Sequence, residues 1–325
     1  MAQGLYVLPD DGGPAIELTA ASIRAPSWLQ HYEPTAGTGG TTITVPGMYA
    51  GATMFMVPTQ TCSVLFDGTS VIPTVTVAGT LSQSGNRLVL SDGKDVLRGE
   101  IFQIIPASVS GYGLYLQDAT DFLAINDATV LGQCLFKARI TVAPNWTVPQ
   151  IGSIPKSRYL VFANWNSSGV VLDFDGEIIR AYADQNGNNS QSGISLTVDV
   201  IIFVNGGTIE PTPLGLNIFN AAGQCTFSTR RTPLLLRGFL TPTASFKSPA
   251  TGVARMAIPL GRVGMMGSES SGTQYIKYAG LVMTNNQVRA GKGVVAGSFS
   301  NQYGRPDDRL ISIPLPVIDA ANYIV

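Results

Sequence analysis

The sequence predicts an all-β protein arranged as three tandem, closely packed antiparallel β-sandwich-like modules. Three observations carry that prediction. Short runs alternate polar and apolar residues with period two, at 42–45 (Thr-Ile-Thr-Val), 74–77 (Thr-Val-Thr-Val) and 195–198 (Ser-Leu-Thr-Val). Such alternation puts the apolar side chains on one face of a pleated strand. The 36 glycines and 20 prolines fall between these runs without a period, so they mark turns and exclude a collagen repeat. No stretch of helix length shows helical periodicity. The best candidate, 18–29, holds at most a turn or two, because Pro26 lacks a donor and clashes with the preceding turn.

The modules are read from self-similarity at a spacing of about 100 residues. GLYVLPDDGGPAIEL (4–18), GLYLQDATDFLAI (113–125) and GLNIFNAAGQCTF (215–227) each open a strand with Gly-Leu and cross a polar turn into a second apolar run. The segments before the second and third copies also correspond. EIFQIIPASVSGYGLYL (100–116) and DVIIFVNGGTIEPTPLGLNI (199–218) both pass from an apolar strand through a Pro/Gly break to Gly-Leu. Between them, the residues of 54–77 align with those of 159–183, which places Asp67-Gly68 and Asp175-Gly176 at equivalent turns. Asp-Gly between apolar strands is a strong hairpin signal, since glycine accepts positive φ at little cost. The expected modules are therefore 1–110, 111–212 and 213–325, the third placed by position more than by residue identity. The competing organisation is one large β domain in which hairpins, not modules, are repeated.

Composition narrows the function classes. Charged residues make up 13% of the chain and the net charge is −1, which provides no general attraction for nucleic acid or anionic lipid. So few charges suit a surface covered by neighbours in an assembly. No apolar run approaches the ~20 residues of a membrane-spanning helix, so no membrane insertion is expected. The start of the chain lacks the basic segment and apolar core of a signal peptide. Cys62, Cys134 and Cys225 are too few and too far apart for a disulfide framework or a zinc site and read as buried small apolar residues. Together these features lead us to expect synthesis in a reducing cytoplasm, with no cofactor and no metal.

No catalytic constellation stands out. His31 is the sole histidine, so a histidine metal site or a Ser-His-Asp arrangement has little to build on, and no Gly-x-Ser-x-Gly elbow accompanies it. It is expected to pack or to face solvent. Asp10-Asp11 and Asp307-Asp308 are adjacent pairs whose side chains diverge, which makes them poor glycosidase acids. VLDFDGEI (171–178) places Asp173, Asp175 and Glu177 like part of a calcium loop, but the later bidentate glutamate is missing, and a hairpin turn is the expected reading. Two polar, glycine-rich loops are the candidate recognition sites, SQSGNR (82–87) with Gln83, Asn86 and Arg87, and DQNGNNSQSG (184–193) with Gln185, Asn186, Asn188 and Asn189. Loops on a rigid scaffold are where binding residues concentrate, and Tyr182 and Trp165 stand nearby in sequence. Arg230, Arg231 and Arg237 form a small basic cluster, expected to be solvated.

Two of the Gly-Leu phrases resemble strand-turn-strand phrases in tail proteins of long-tailed (siphovirus-like) bacteriophages. The resemblance rests on Gly4-Leu5, Gly12-Gly13, Ile16 and Leu18, and again on Gly215-Leu216, Gly223, Phe227 and Thr229. The copy at Gly113 departs from it, with Asp118, Ala119, Thr120 and Asp121 in place of a glycine turn. The resemblance implies a non-enzymatic virion protein of the tail tip or tail fibre region, made in the host cytoplasm and assembled with other tail proteins. Three similar modules would suit a trimeric central fibre as partner. The alternative is a receptor-binding protein that recognises host lipopolysaccharide or an outer-membrane protein through the two polar loops. A polysaccharide depolymerase would need convergent acids or a metal site, and the sequence displays neither.

Overall fold

A computed structural model describes residues 6–17, 25–34, 42–65, 72–106, 113–117, 122–126 and 130–325. Among these the regular elements are β-strands and four short 3-10 turns, and every strand pairing is antiparallel. The expected all-β class holds. Asp67-Gly68, the first Gly-Leu pair and most of 18–29 lie outside the described residues.

Two large sheets organise residues 130–325. The first is six-stranded, in the order Gln133–Val142, Leu196–Val204, Leu160–Trp165, Met256–Pro259, Leu315–Asp319, Gly238–Leu240. The second runs Asn145–Thr147, Ile178–Ala183, Ser167–Phe174, Thr273–Thr284, Gly264–Ser270, Arg309–Leu310, with Gln287–Ser300 also paired to Thr273–Thr284. In both sheets three neighbouring strands from before residue 212 pair edge to edge with strands from after it, Leu160–Trp165 with Met256–Pro259 and Ser167–Phe174 with Thr273–Thr284. The boundary expected between 212 and 213 is therefore corrected: the stretches assigned to modules two and three share one sandwich. The Gly-Leu spacing reported repeated hairpins, while the strands between them pair across the whole interval.

The six-stranded sheet is covered on both faces. Along Leu196–Val204 every residue from Val198 onward is buried. Val198, Val200 and Ile202 join Leu172, Ile179 and Leu281 of the other sheet. Ile201 and Phe203 point the opposite way, to Phe55, Phe102, Phe162 and Tyr323. A strand buried on both sides has no reason to alternate, which is why DVIIFV reads as a continuous apolar run. Phe203 meets Phe162 and Tyr323 edge to face, with ring centroids 5.5 Å apart in both pairs, a favoured aromatic geometry.

The N-terminal strands supply that outer cover. Ser27–Tyr32, Arg98–Ile104 and Thr53–Gln60 form a three-stranded sheet. Phe55, Val57 and Phe102 turn toward the six-stranded sheet, while Met54, Met56 and Ile101 belong with Ile43, Leu88 and Leu90 of a further small sheet. At the seam, fully buried Glu100 accepts from Trp28 Nε1 at 2.6 Å and from Arg158 Nε at 3.2 Å, and lies 2.9 Å from His31 Nδ1. Arg158 precedes the Leu160–Trp165 strand, so this carboxylate ties the N-terminal sheet to the sandwich. His31 thus has a packing role, as expected.

Close backbone approach explains one pair of glycines. Gly280 and Gly291 face each other across the Thr273–Thr284 and Gln287–Ser300 hairpin. A Cβ on Gly280 would sit 2.6 Å from the Leu172 carbonyl oxygen, and one on Gly291 would sit 2.7 Å from Val171 Cγ2. The glycines let the 167–174 strand lie against this hairpin. The hairpin turns at Asn285 and Asn286, at φ 49° and 60°, the positive values that a two-residue turn with right-handed strand twist requires.

Candidate functional site

The described strands of all three Gly-Leu phrases pair in two-stranded sheets outside the large sheets. They are Tyr6–Val7 with Ile16–Glu17, Gly113–Gln117 with Phe122–Asn126, and Asn217–Phe219 with Cys225–Ser228. An isolated two-stranded hairpin is marginal in water, so each needs anchorage.

The first and third hairpins anchor to each other and to the sandwich. Asp10 accepts from Thr212 Oγ1 at 2.5 Å and its backbone N–H donates to the Thr229 carbonyl at 3.4 Å. Asp11 points elsewhere, as adjacent residues should. Its carboxylate accepts from Lys137 Nζ at 2.6 Å, Thr232 N at 3.1 Å and Gly13 N at 3.0 Å. Burial alone would raise the Asp11 pKa, but these donors outweigh it and hold the carboxyl below its usual value. The third hairpin braces its own turn. Asn220 Oδ1 accepts from the N–H groups of Ala222 and Gln224 at 3.0 and 2.9 Å, and Gly223 takes φ 76°. At its base Asn217 exchanges hydrogen bonds with the Thr212 backbone at 2.9 and 2.8 Å.

These braces use the polar groups and leave apolar ones outside. Leu8 is 72% exposed, Leu214 84% and Phe219 48%, and Leu216 is also exposed. The surface is braced by hydrogen bonds at its backbone and exposes apolar side chains. The sequence marked the phrases that build it. The joining of the first to the third was missed, because Asp10 and Asp11 gave no signal beyond their unsuitability as acids for catalysis.

The predicted recognition residues sit on two separate supports. Gln83 is exposed but its amide is engaged: it accepts from Met54 N at 2.7 Å and donates to the Ala52 carbonyl at 2.9 Å. Asn86 and Arg87 are exposed at the same turn. Gln185, Asn186, Asn188 and Asn189 are exposed beside the Gln287–Ser300 strand. Asn186 Oδ1 accepts from Lys292 Nζ at 2.6 Å and Asn189 Oδ1 from Val295 N at 2.8 Å. Gln185 donates to the Asn188 carbonyl at 3.2 Å, and Asn188 Oδ1 accepts from Asn189 N at 2.8 Å. These side chains shape their loop. Tyr182 and Trp165, expected to assist them, are buried at 6% and 3% exposure and do not reach a surface ligand.

The remaining chemical candidates are occupied in the same structural way. Asp175 accepts from Glu177 N and Ile178 N at 3.1 and 2.8 Å and from Arg180 Nε at 2.8 Å, which makes VLDFDGEI a hairpin turn. Asp173 is fully buried beside Arg262, 3.4 Å away, and burial pushes its carboxyl pKa up. Burial also raises the Cys62 thiol to about 11 and Cys134 to about 12, so neither forms a nucleophilic thiolate at neutral pH. Among the described residues no helix is long and apolar enough to cross a membrane.

A family model described as "Family of unknown function (DUF6453)" matches residues 4–301. No curated protein and no solved structure matches the chain.

Proposed function

The chain belongs to the family of unknown function DUF6453, and for it we propose, from its sequence resemblance and its hairpin surface, a non-enzymatic structural component of a bacteriophage virion, located at the distal tail. In this reading it joins neighbouring tail proteins through the face built by the first and third hairpins. The observation that supports it is the construction of that face. The two phrases that resemble tail-protein phrases are bonded side by side, and Leu8, Leu214, Leu216 and Phe219 stand outside them. The low charge of the chain fits a surface largely covered by neighbours.

The trimeric central fibre loses the three equal modules that motivated it, so the proposed partners are neighbouring tail proteins without a stated symmetry. Receptor binding through the polar loops has less support, since Gln83, Asn186 and Asn189 spend their side chains on internal bonds. Immunogold labelling of intact particles with antibody to this chain tests the proposal. Gold at the distal tail is the expected result. Particles that contain no copy of the chain by mass spectrometry would overturn it.

A further inference from the structure

Asparagine followed by glycine is the pair most open to self-modification, because glycine has no side chain to obstruct closure of a five-membered ring between the two. The chain contains two such pairs, Asn186-Gly187 and Asn205-Gly206. The fold treats them oppositely. Asn205 is only 4% exposed, and a Cβ on Gly132 would lie 2.7 Å from its Oδ1, so protein packs directly against that amide. Asn186 is exposed, in the loop between the strands Ile178–Ala183 and Leu196–Val204.

Two features of the Asn186 loop favour the reaction. The first is freedom of the reacting groups. Neither Asn186 Nδ2, the leaving group, nor the Gly187 backbone N–H, the nucleophile, donates a hydrogen bond among the described residues. The second is charge. Lys292 Nζ lies 2.6 Å from Asn186 Oδ1. Negative charge collects on that oxygen when the amide carbon is attacked, and a cation already in place stabilises it.

We propose that Asn186 is a self-modification site that converts to aspartate and isoaspartate. The Gly187 nitrogen attacks Asn186 Cγ and gives its proton to water, the Cγ–Nδ2 bond breaks, and ammonia leaves. Water then opens the resulting succinimide at one of its two carbonyls. One opening gives aspartate. The other gives isoaspartate, whose main chain runs through the former side chain and is one carbon longer. The loop where this happens covers the Gln287–Ser300 strand. Asp184 Oδ1 accepts from Lys292 N at 2.9 Å, and Asn189 Oδ1 accepts from Val295 N at 2.8 Å. The Gln185 carbonyl accepts from Nζ of wholly buried Lys277 at 3.0 Å. Gly187 is packed on Ser270, where a Cβ would lie 2.8 Å from Ser270 Cβ, so the loop has little slack for a further main-chain atom. Isoaspartate is therefore expected to lift the cover from Val295, whereas aspartate keeps the Lys292 contact as an ion pair. The inference is independent of the tail reading, and its test needs no virion.

Purified full-length chain is incubated at mildly alkaline pH and followed by peptide mapping with mass spectrometry, with isoaspartate identified by enzymatic methylation. Asn186 is expected to convert at least roughly tenfold faster than Asn205 in the folded chain, since Asn205 reacts only in the small fraction of molecules opened around it. In urea-unfolded chain the two rates are expected to converge, which separates protection by the fold from effects of neighbouring sequence. Lys292→Ala is expected to slow conversion of Asn186 roughly threefold, a modest effect because the cation is partly solvated. Hydrogen exchange at Val295 should be faster in aged than in fresh chain. In Asn186→Gln, whose longer side chain closes a ring far more slowly, aged and fresh samples should exchange alike. The proposal is overturned if Asn186 keeps its amide in the folded chain, if Asn205 converts as fast, if Lys292→Ala converts no more slowly, or if ammonia loss instead joins Asn186 to Lys292 Nζ. Unchanged exchange at Val295 in converted chain would overturn the lifting of the cover.

Discussion

The six-stranded sheet and the two anchored hairpins are made of the same kind of residue and put it to opposite use. In the sheet, Phe162, Ile201 and Phe203 are wholly removed from water, with a packed layer on either side. In the hairpins, polar residues turn inward to Asp10, Asp11, Thr212 and Asn220, while Leu8, Leu214 and Phe219 stand outside. Burial of apolar surface drives folding in the first case. In the second the same term is left unspent by the isolated chain and is available for association. A strand pattern alone therefore does not tell whether an apolar residue serves the core or a partner; its layer position does.

The contrast predicts unequal consequences of substitution. Phe203→Ala strikes where three aromatic rings meet and should lower unfolding free energy by about 3–5 kcal/mol, measured by urea denaturation. A loss near that of a surface change would break the claim that the sheet is covered on both faces. Gly280→Ala is expected to cost about 2 kcal/mol, because its Cβ would press on the Leu172 backbone. A neutral result would mean that the two strands can part without penalty.

Acid should sharpen the difference between the regions. The Asp11 carboxyl is held below its usual 3.8, so its contribution is present above that pH and fades as pH falls below it. Amide exchange around the first hairpin should accelerate there while the Leu196–Val204 strand stays protected. Simultaneous loss of protection in both would show that they do not behave as separate units. Smallest in stability is the change at the tips. Leu214→Asp and Phe219→Asp should alter unfolding free energy by no more than about 0.5 kcal/mol, measured by the same denaturation.

Much of this was legible in the residues, and the failures have physical causes. The Gly-Leu phrases were readable as strand, turn, strand because the turn chemistry is local. Their spacing suggested modules because a sequence repeat shows what recurs, not which strands pair. Pairing of Met256–Pro259 with Leu160–Trp165 joins segments about a hundred residues apart, and no local pattern encodes it. The competing organisation, one β domain with repeated hairpins, describes residues 130–325 better. Asn285 and Asn286 could have been recognised as a two-residue turn, since asparagine tolerates positive φ. The polar loops looked like recognition sites because exposed amides and bridging amides are identical in sequence; only the structure shows that the Gln83 amide bonds to the backbone of Ala52 and Met54.

The hairpin face is tested most directly by counting copies. Tailed particles assembled with the native chain or with Phe219→Asp are purified, and the chain is quantified against other tail proteins by mass spectrometry. A contact face predicts a constant copy number for the native chain and loss of the variant, with the purified variant melting normally. Absence of the native chain from particles, or undiminished incorporation of the variant, would contradict it.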